Sequence, residues 1–232
     1  MARNTQLLRL VQMVREECGR SSSVGVGVDD LPSIKTKLKR TQELFYEKYD
    51  WPHLRQFFLR EDMLAGERYY DPTDGVDFDR IEEMVIWYNG LAYPIERGID
   101  FSHYNQYDSE NDARSEPTRR WDVRWTGVRE QIEFWPIPST NDQKWQIRGI
   151  RQLRDLVADT DVADLDDQML VLFVAAELLA GKDSKSAGIV AESAKERLST
   201  LIARQNATTR RYRVGMGETP IEPKGVIVRV GS

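Results

Sequence analysis

All six tryptophans (51, 87, 121, 125, 135 and 145) fall in the middle of the chain, while both flanks are aliphatic and rich in alanine. The apolar spacing changes at the same places. In the flanks it follows the 3.6-residue period of a helix buried along one face; in the centre it alternates, as on a strand with one face covered. A chain divided in this way is expected to have helical ends and a β-rich centre.

Leu7, Val11, Val14 and Cys18 lie on one helical face, so the spacing predicts a first helix from about Asn4 to Cys18, stopped by Gly19. Ser21 to Val28 has no period and reads as a mobile loop. A second helix is expected from Pro32-Ser33, with Ile34, Leu38, Thr41 and Phe45 on one side. It should end in Tyr49-Asp50-Trp51-Pro52, because proline disfavours helix in the residue before it.

In the centre, Trp121, Val123 and Trp125 alternate with Arg120, Asp122 and Arg124, and Ile132 and Phe134 alternate with Gln131 and Glu133. Glu83 to Tyr88, Asn89-Gly90 and Leu91 to Ile95 read as a hairpin, since Asn-Gly takes the positive φ angles of a type I′ turn. Leu54 to Leu59 and Trp145 to Ile150 are further strands, and the acidic stretch Asp100 to Ser115 is an excursion with a short helix. Asp164 opens a third helix, with Asp166 and Asp167 favouring the exposed amides of its first turn and Met169 to Leu179 apolar nearly all round. Beyond Gly181-Lys182-Asp183 a fourth helix carries Ala187, Ala191, Ala194, Leu198 and Leu201 on one face. The short connection makes the last two helices an antiparallel hairpin.

The expected fold is therefore α+β: a four-helix bundle formed by the N- and C-terminal helices, with a central antiparallel β-rich insertion and an extended C-terminal arm. The expected divisions are 1–52 and 158–206 for the helices, 53–157 for the insertion and 207–232 for the arm.

Composition limits the function. With 33 Lys+Arg against 38 Asp+Glu, the net charge of −5 argues against a surface built wholly to hold nucleic acid. No apolar run approaches the ~18 residues of a membrane span, and charged and polar residues interrupt Leu7 to Gln12, which does not support a secretory signal. The single cysteine, Cys18, excludes an internal disulfide and a cysteine zinc site, and fits a reducing compartment. Cys18 on an apolar helix face reads as core. His53 and His103 are far apart without metal-ligand spacing. The cluster Asp159, Asp161, Asp164, Asp166 and Asp167 lacks the ligand positions of a calcium loop and reads as helix capping. Gly25-Val26-Gly27 is half a dinucleotide fingerprint and follows no strand. No catalytic constellation, metal or cofactor is expected. Trp121 and Trp125, interleaved with Arg119, Arg120, Arg124 and Arg129, could stack on single-stranded bases, but a shared strand face is most economically core.

The arm differs in kind from the rest. Arg210, Arg211, Arg213, Lys224 and Arg229 against Glu218 and Glu222 give it +3, and Val226-Ile227-Val228 is β-prone. Such a segment could become ordered by adding a strand to a partner's edge.

In order of elements the chain resembles the head-to-tail adaptor (connector, or head-completion) proteins of tailed bacteriophages. The resemblance runs from about residue 5 to 205: the first helix, the second ending at Tyr49-Asp50-Trp51-Pro52, the Asp77-Phe78-Asp79-Arg80-Ile81 segment, the strand Ile132-Glu133-Phe134-Trp135-Pro136-Ile137-Pro138, and the long helix after an aspartate-rich start. The Asp100 excursion and the Ser/Gly loop depart from the commoner pattern. The resemblance implies a non-enzymatic virion protein of the neck between head and tail, assembled in the host cytoplasm. It implies a homo-oligomeric ring, commonly about twelve-fold, docked on the portal ring, receiving the next neck or tail protein and letting packaged DNA pass without sequence-specific binding. On that reading Arg210, Arg211, Tyr212, Arg213, Val226, Ile227, Val228, Arg229 and Val230 bind the portal. A stopper or tail-tube protein, a single-stranded nucleic-acid module and an enzyme built on the Asp-rich carboxylates are the rival expectations.

Overall fold

The computed structural model describes residues 3–21, 30–182 and 185–208. Helix α1 spans Leu7–Glu17 and α2 Leu31–Lys48. Strands β1 (Arg55–Phe57), β2 (Glu61–Asp62), β3 (Tyr69–Tyr70), β4 (Val76–Tyr88) and β5 (Leu91–Arg97) follow. After the short α3 (Phe101–Tyr104) come β6 (Arg120–Trp125), β7 (Glu130–Trp135), β8 (Lys144–Arg151), α4 (Asp167–Ala180) and α5 (Ala187–Thr208).

The strands form one sheet in the order β1-β8-β4-β5-β6-β7-β3, with β2 also paired to β8. The pairs are antiparallel except β5–β6, where Glu96 and Arg97 lie beside Arg120 and Trp121 in parallel. Inward residues of distant strands meet: Trp145 of β8 lies 5.5 Å from Phe134 of β7 and 6.3 Å from Tyr70 of β3, ring centre to ring centre. The sheet is therefore curled into a half-barrel around Met63, Met84, Ile86, Ile132, Phe134, Trp145 and Ile147. Val76, Ile81 and Glu83 mark bulges in β4 where it crosses β8. Gly149 accommodates that crossing, since a Cβ there would sit 2.8 Å from the Arg80 carbonyl oxygen. At the β4–β5 turn Asn89 and Gly90 have φ of 51° and 76°, as the Asn-Gly signal requires.

The expected four-helix bundle with a β insertion is corrected by this arrangement: the fold is dominated by a mixed, curled sheet, accompanied by five helices. Two features account for the difference. The excursion after β5 returns its chain parallel to β5, which a purely antiparallel insertion does not allow. The apolar residues of the helices also do not close on themselves, because Trp51, Leu54 and Ile150 from the strand side complete their core. Around α4, which packs on α1, α2 and α5, the buried Leu7, Leu10, Ile34, Leu38, Phe45, Met169, Leu170 and Val174 form that core.

Several local expectations shift. The third helix begins at Asp167 rather than Asp164, with Asp166 as its N-cap accepting from the Met169 amide at 3.0 Å. Helix α5 runs to Thr208, two residues into the segment read as arm. Trp121 is buried as expected, but Trp125, two turns of the alternation further on, is 67% exposed at the end of β6. No helix among the described residues is long and apolar enough to cross a membrane.

Candidate functional site

The residues expected to bind a portal, Arg210, Arg211, Tyr212, Arg213 and Val226 to Val230, lie outside the described residues, as do 22–28 of the Ser/Gly loop. The described body offers three places where side chains of interest converge.

The first is the outer face of β6 and β7 under the excursion. Pairing of Asp122 with Glu133 places Glu133 on the outward side of β7, yet its carboxylate is wholly buried. Arg68 Nε donates to Oε1 at 2.8 Å, the Tyr104 hydroxyl to the same oxygen at 2.7 Å, and Arg124 Nε to Oε2 at 3.0 Å. Arg68 also reaches the Tyr104 oxygen at 3.2 Å, and Arg124 donates to the Ile99 carbonyl at 2.7 Å. One buried carboxylate thus pins α3 and the turn after β5 to the sheet, while Trp135 Nε1 holds the Tyr107 carbonyl at 2.9 Å. The Asp100–His103 capping box closes α3. A cleft of about 450 Å³ opens here beside the exposed Phe101 and Trp125. Replacing Glu133 by glutamine removes the anion that Arg68 and Arg124 share, and a loss of about 2 kcal/mol or more is expected, read by chemical denaturation. Faster amide exchange in residues 98–112 should accompany it.

The second is the end of the β6–β7 hairpin, where Trp125 and Val128 stand exposed above Phe78 and Pro72. Asp71, Asp74 and Glu130 rim this cleft against one cation, Arg129, which is paired to Asp71 at 2.8 Å. The third is the β1 side of the sheet. Phe57 and Leu59 are 71% and 83% exposed there, with Arg60 stacked on the Trp87 ring at 3.5 Å.

The aspartates read as helix caps do more than cap. Asp164, with its side chain buried, accepts from Arg151 at 3.1 Å and from the Arg154 amide and Nε at 2.9 and 2.7 Å. Its amide donates to Gln42 at 2.9 Å, and its carbonyl faces His53 Nε2 at 2.9 Å. Burial opposes its charge, but the hydrogen bonds from Arg151 and Arg154 outweigh burial and hold the carboxyl below the usual range. Asp166 is paired to Arg197 of α5 at 2.7 Å. Asp167 accepts from the Thr5 hydroxyl, and burial raises its pKa. Asp164 and Asp166 are engaged by protein cations and amides and Asp167 by a hydroxyl, and among the described residues no group of three or more His, Cys, Asp or Glu is placed to hold a metal ion. His53 packs on Trp51, and burial lowers its pKa. Burial pushes the half-buried Cys18 thiol up, against the influence of Arg20 and Lys182.

Sequence spacing missed the Glu133 network because its members, Arg68, Tyr104, Arg124 and Glu133, belong to four separate segments. Alternation assigns Glu133 to the polar side of its strand, so nothing in the sequence marks its carboxylate for burial. The sequence matches no protein-family model, and no curated protein is significantly similar to it.

Proposed function

We propose that the protein is a structural, non-enzymatic adaptor of a bacteriophage neck, which assembles as a homo-oligomeric ring on the portal and hands the DNA conduit to the next neck or tail protein. The observation that carries this reading is the pair of unlike apolar patches on one subunit. Phe57 and Leu59 occupy the β1 side, and Trp125 and Val128 the β6–β7 turn, separated in the sheet by β8, β4 and β5. A head-to-tail ring contact needs two different surfaces on each copy, whereas a two-fold dimer needs one self-complementary surface. Neighbouring exposed apolar side chains of this kind are what such contacts would cover. The order of elements shared with head-to-tail adaptors supports the same reading. The cationic Arg210, Arg211 and Arg213 would supply the charge that meets acidic portal residues.

The test is direct: the purified protein is mixed with candidate portal rings and the product imaged. A stoichiometric collar on one end of the portal is expected; intact portals with no added density overturn the reading.

The exposed Trp125 also bears on single-strand binding. Its neighbours count against that rival: Arg124 is engaged by Glu133 and Arg129 by Asp71, and the adjoining rim is acidic. Micromolar affinity for single-stranded DNA, falling steeply with salt, would favour it nonetheless.

A further inference from the structure

One edge of the sheet is made of two short strands. β1 and β2 both line β8, so residues 55–62 form one interrupted border, and no described strand pairs with its outer side. The Phe58 amide donates to the Ile147 carbonyl at 2.9 Å, and the Phe58 carbonyl accepts from the Gln146 side chain. Alternation along β1 then turns the amide and carbonyl of Phe57 away from β8, and between Phe58 and Glu61 the pairing with β8 shifts by one residue. Natural edges are commonly blunted by lysine, proline or a covering loop. This border contains neither lysine nor proline; its two arginines are drawn onto the sheet face, Arg55 to Glu82 at 2.5 Å and Arg60 onto Trp87, and its two carboxylates, Glu61 and Asp62, lie at the β2 end, Asp62 paired to Lys144. Phe57 and Leu59 lie two residues apart, on one side of the border, both exposed.

We propose that this edge accepts, as an added strand, the Val226–Val230 segment of a second copy of the chain. The inference rests on the ring reading above, names how adjacent copies are joined, and moves Val226 to Val230 from the portal to the neighbouring copy, leaving Arg210, Arg211 and Arg213 to the portal. Three observations select the occupant. Val226, Val228 and Val230 alternate with Ile227 and Arg229, so one face of the added strand would place valines beside Phe57 and Leu59. Seventeen residues separate Thr208, the end of α5, from Val226; at ~3.3 Å each they reach roughly 55 Å, enough to span to a neighbour. Setting the +3 of residues 207–232 against the chain's −5 leaves −8 on the rest, so the segment is attracted to the body of another copy. Each copy then gives one strand and receives one, which propagates around a ring.

Cysteine pairing in the full chain tests this. In a Cys18→Ser background, Leu59→Cys and Val228→Cys are combined and mildly oxidised at high protein concentration. A ladder of disulfide-linked species beyond the dimer is expected, with at most dimers from either single cysteine. In a Leu59→Cys, Val226→Cys pair, whose members share that face, adding Val228→Pro should reduce the ladder at least tenfold. Closure within one chain, or a ladder no stronger than from an Ile189→Cys, Val228→Cys control, overturns the inference. If the Leu59→Cys, Val228→Cys protein gives no ladder while the protein still forms the collar on a portal, this inference fails and the adaptor reading stands.

Discussion

Replacing Asp164 with alanine is expected to cost about 2–4 kcal/mol, the lower part of the range for removing one partner of a buried ion pair, since Arg154 keeps 43% of its side chain exposed. The effect is large because the carboxylate joins parts of the chain far apart in sequence. It binds Arg151 at the end of β8 and Arg154 beyond it, while its own backbone is held by Gln42 of α2 and His53. Arg154 in turn donates to Asn4 at 2.6 Å, next to the backbone pairing of Asn4 and Thr5 with Ala163. Without the carboxylate, Arg151 and Arg154 lose the buried counter-charge they share. Denaturant unfolding should show the loss as a lower midpoint with little change in slope.

The same residue fixes a pH dependence. Because the folded Asp164 carboxyl titrates below its unfolded value of about 3.9, its contribution is complete above that pH and lost as pH falls through the folded value. Asp167 has the opposite sign. Its raised value favours the neutral carboxyl, so its contribution is present below about 3.9 and lost as pH rises through the folded value. Asp164→Asn should therefore flatten the acid limb of the stability profile, and Asp167→Asn should cost least near neutrality. An unchanged acid limb in Asp164→Asn would contradict the assignment.

Trp51→Ala is expected to cost about 3–5 kcal/mol, the range for truncating a buried tryptophan, and to lower the melting temperature by roughly 10 °C. Trp51 is almost fully buried, its Nε1 donates to the Phe45 carbonyl at 2.8 Å, and its ring meets Tyr49 and His53. With Leu54 and Ile150 it carries the helical core across to the strands. The wild type should melt in one transition by both helical circular dichroism and tryptophan fluorescence. If the two signals separate in Trp51→Ala, the residue couples helices to sheet; if helix content melts unchanged, the coupling lies elsewhere.

The hairpin at Asn89-Gly90, the strands at 120–125, 130–135 and 144–151 and the apolar helix after Asp166 were legible because each depends on neighbours within a few residues. Asn-Gly needs only its own φ angles, alternation only a pleat, and an N-cap only the amides two or three positions on. The fold class was not legible in the same way. Whether β6 runs parallel to β5 depends on how the chain from 98 to 119 folds back, and that stretch is held by residues distant in sequence: Tyr104 on Glu133, Tyr107 on Trp135, and the Ser115 and Arg119 amides on Ile137 and Trp135. The reading of Trp125 as core failed for a related reason: alternation assigns a face, but the end of a strand can project past the sheet's cover.

What the sequence determined by itself was local: helical flanks, a tryptophan-bearing β centre, the turn at Asn89-Gly90 and the excess of cations near the carboxyl end. Tertiary structure alone decided that the sheet curls, that Asp164 and Glu133 become hubs, and that Phe57 and Leu59 border an open edge. Those outcomes depend on which distant segments exclude water together, and burial summed over such segments has no signature in any short window of residues.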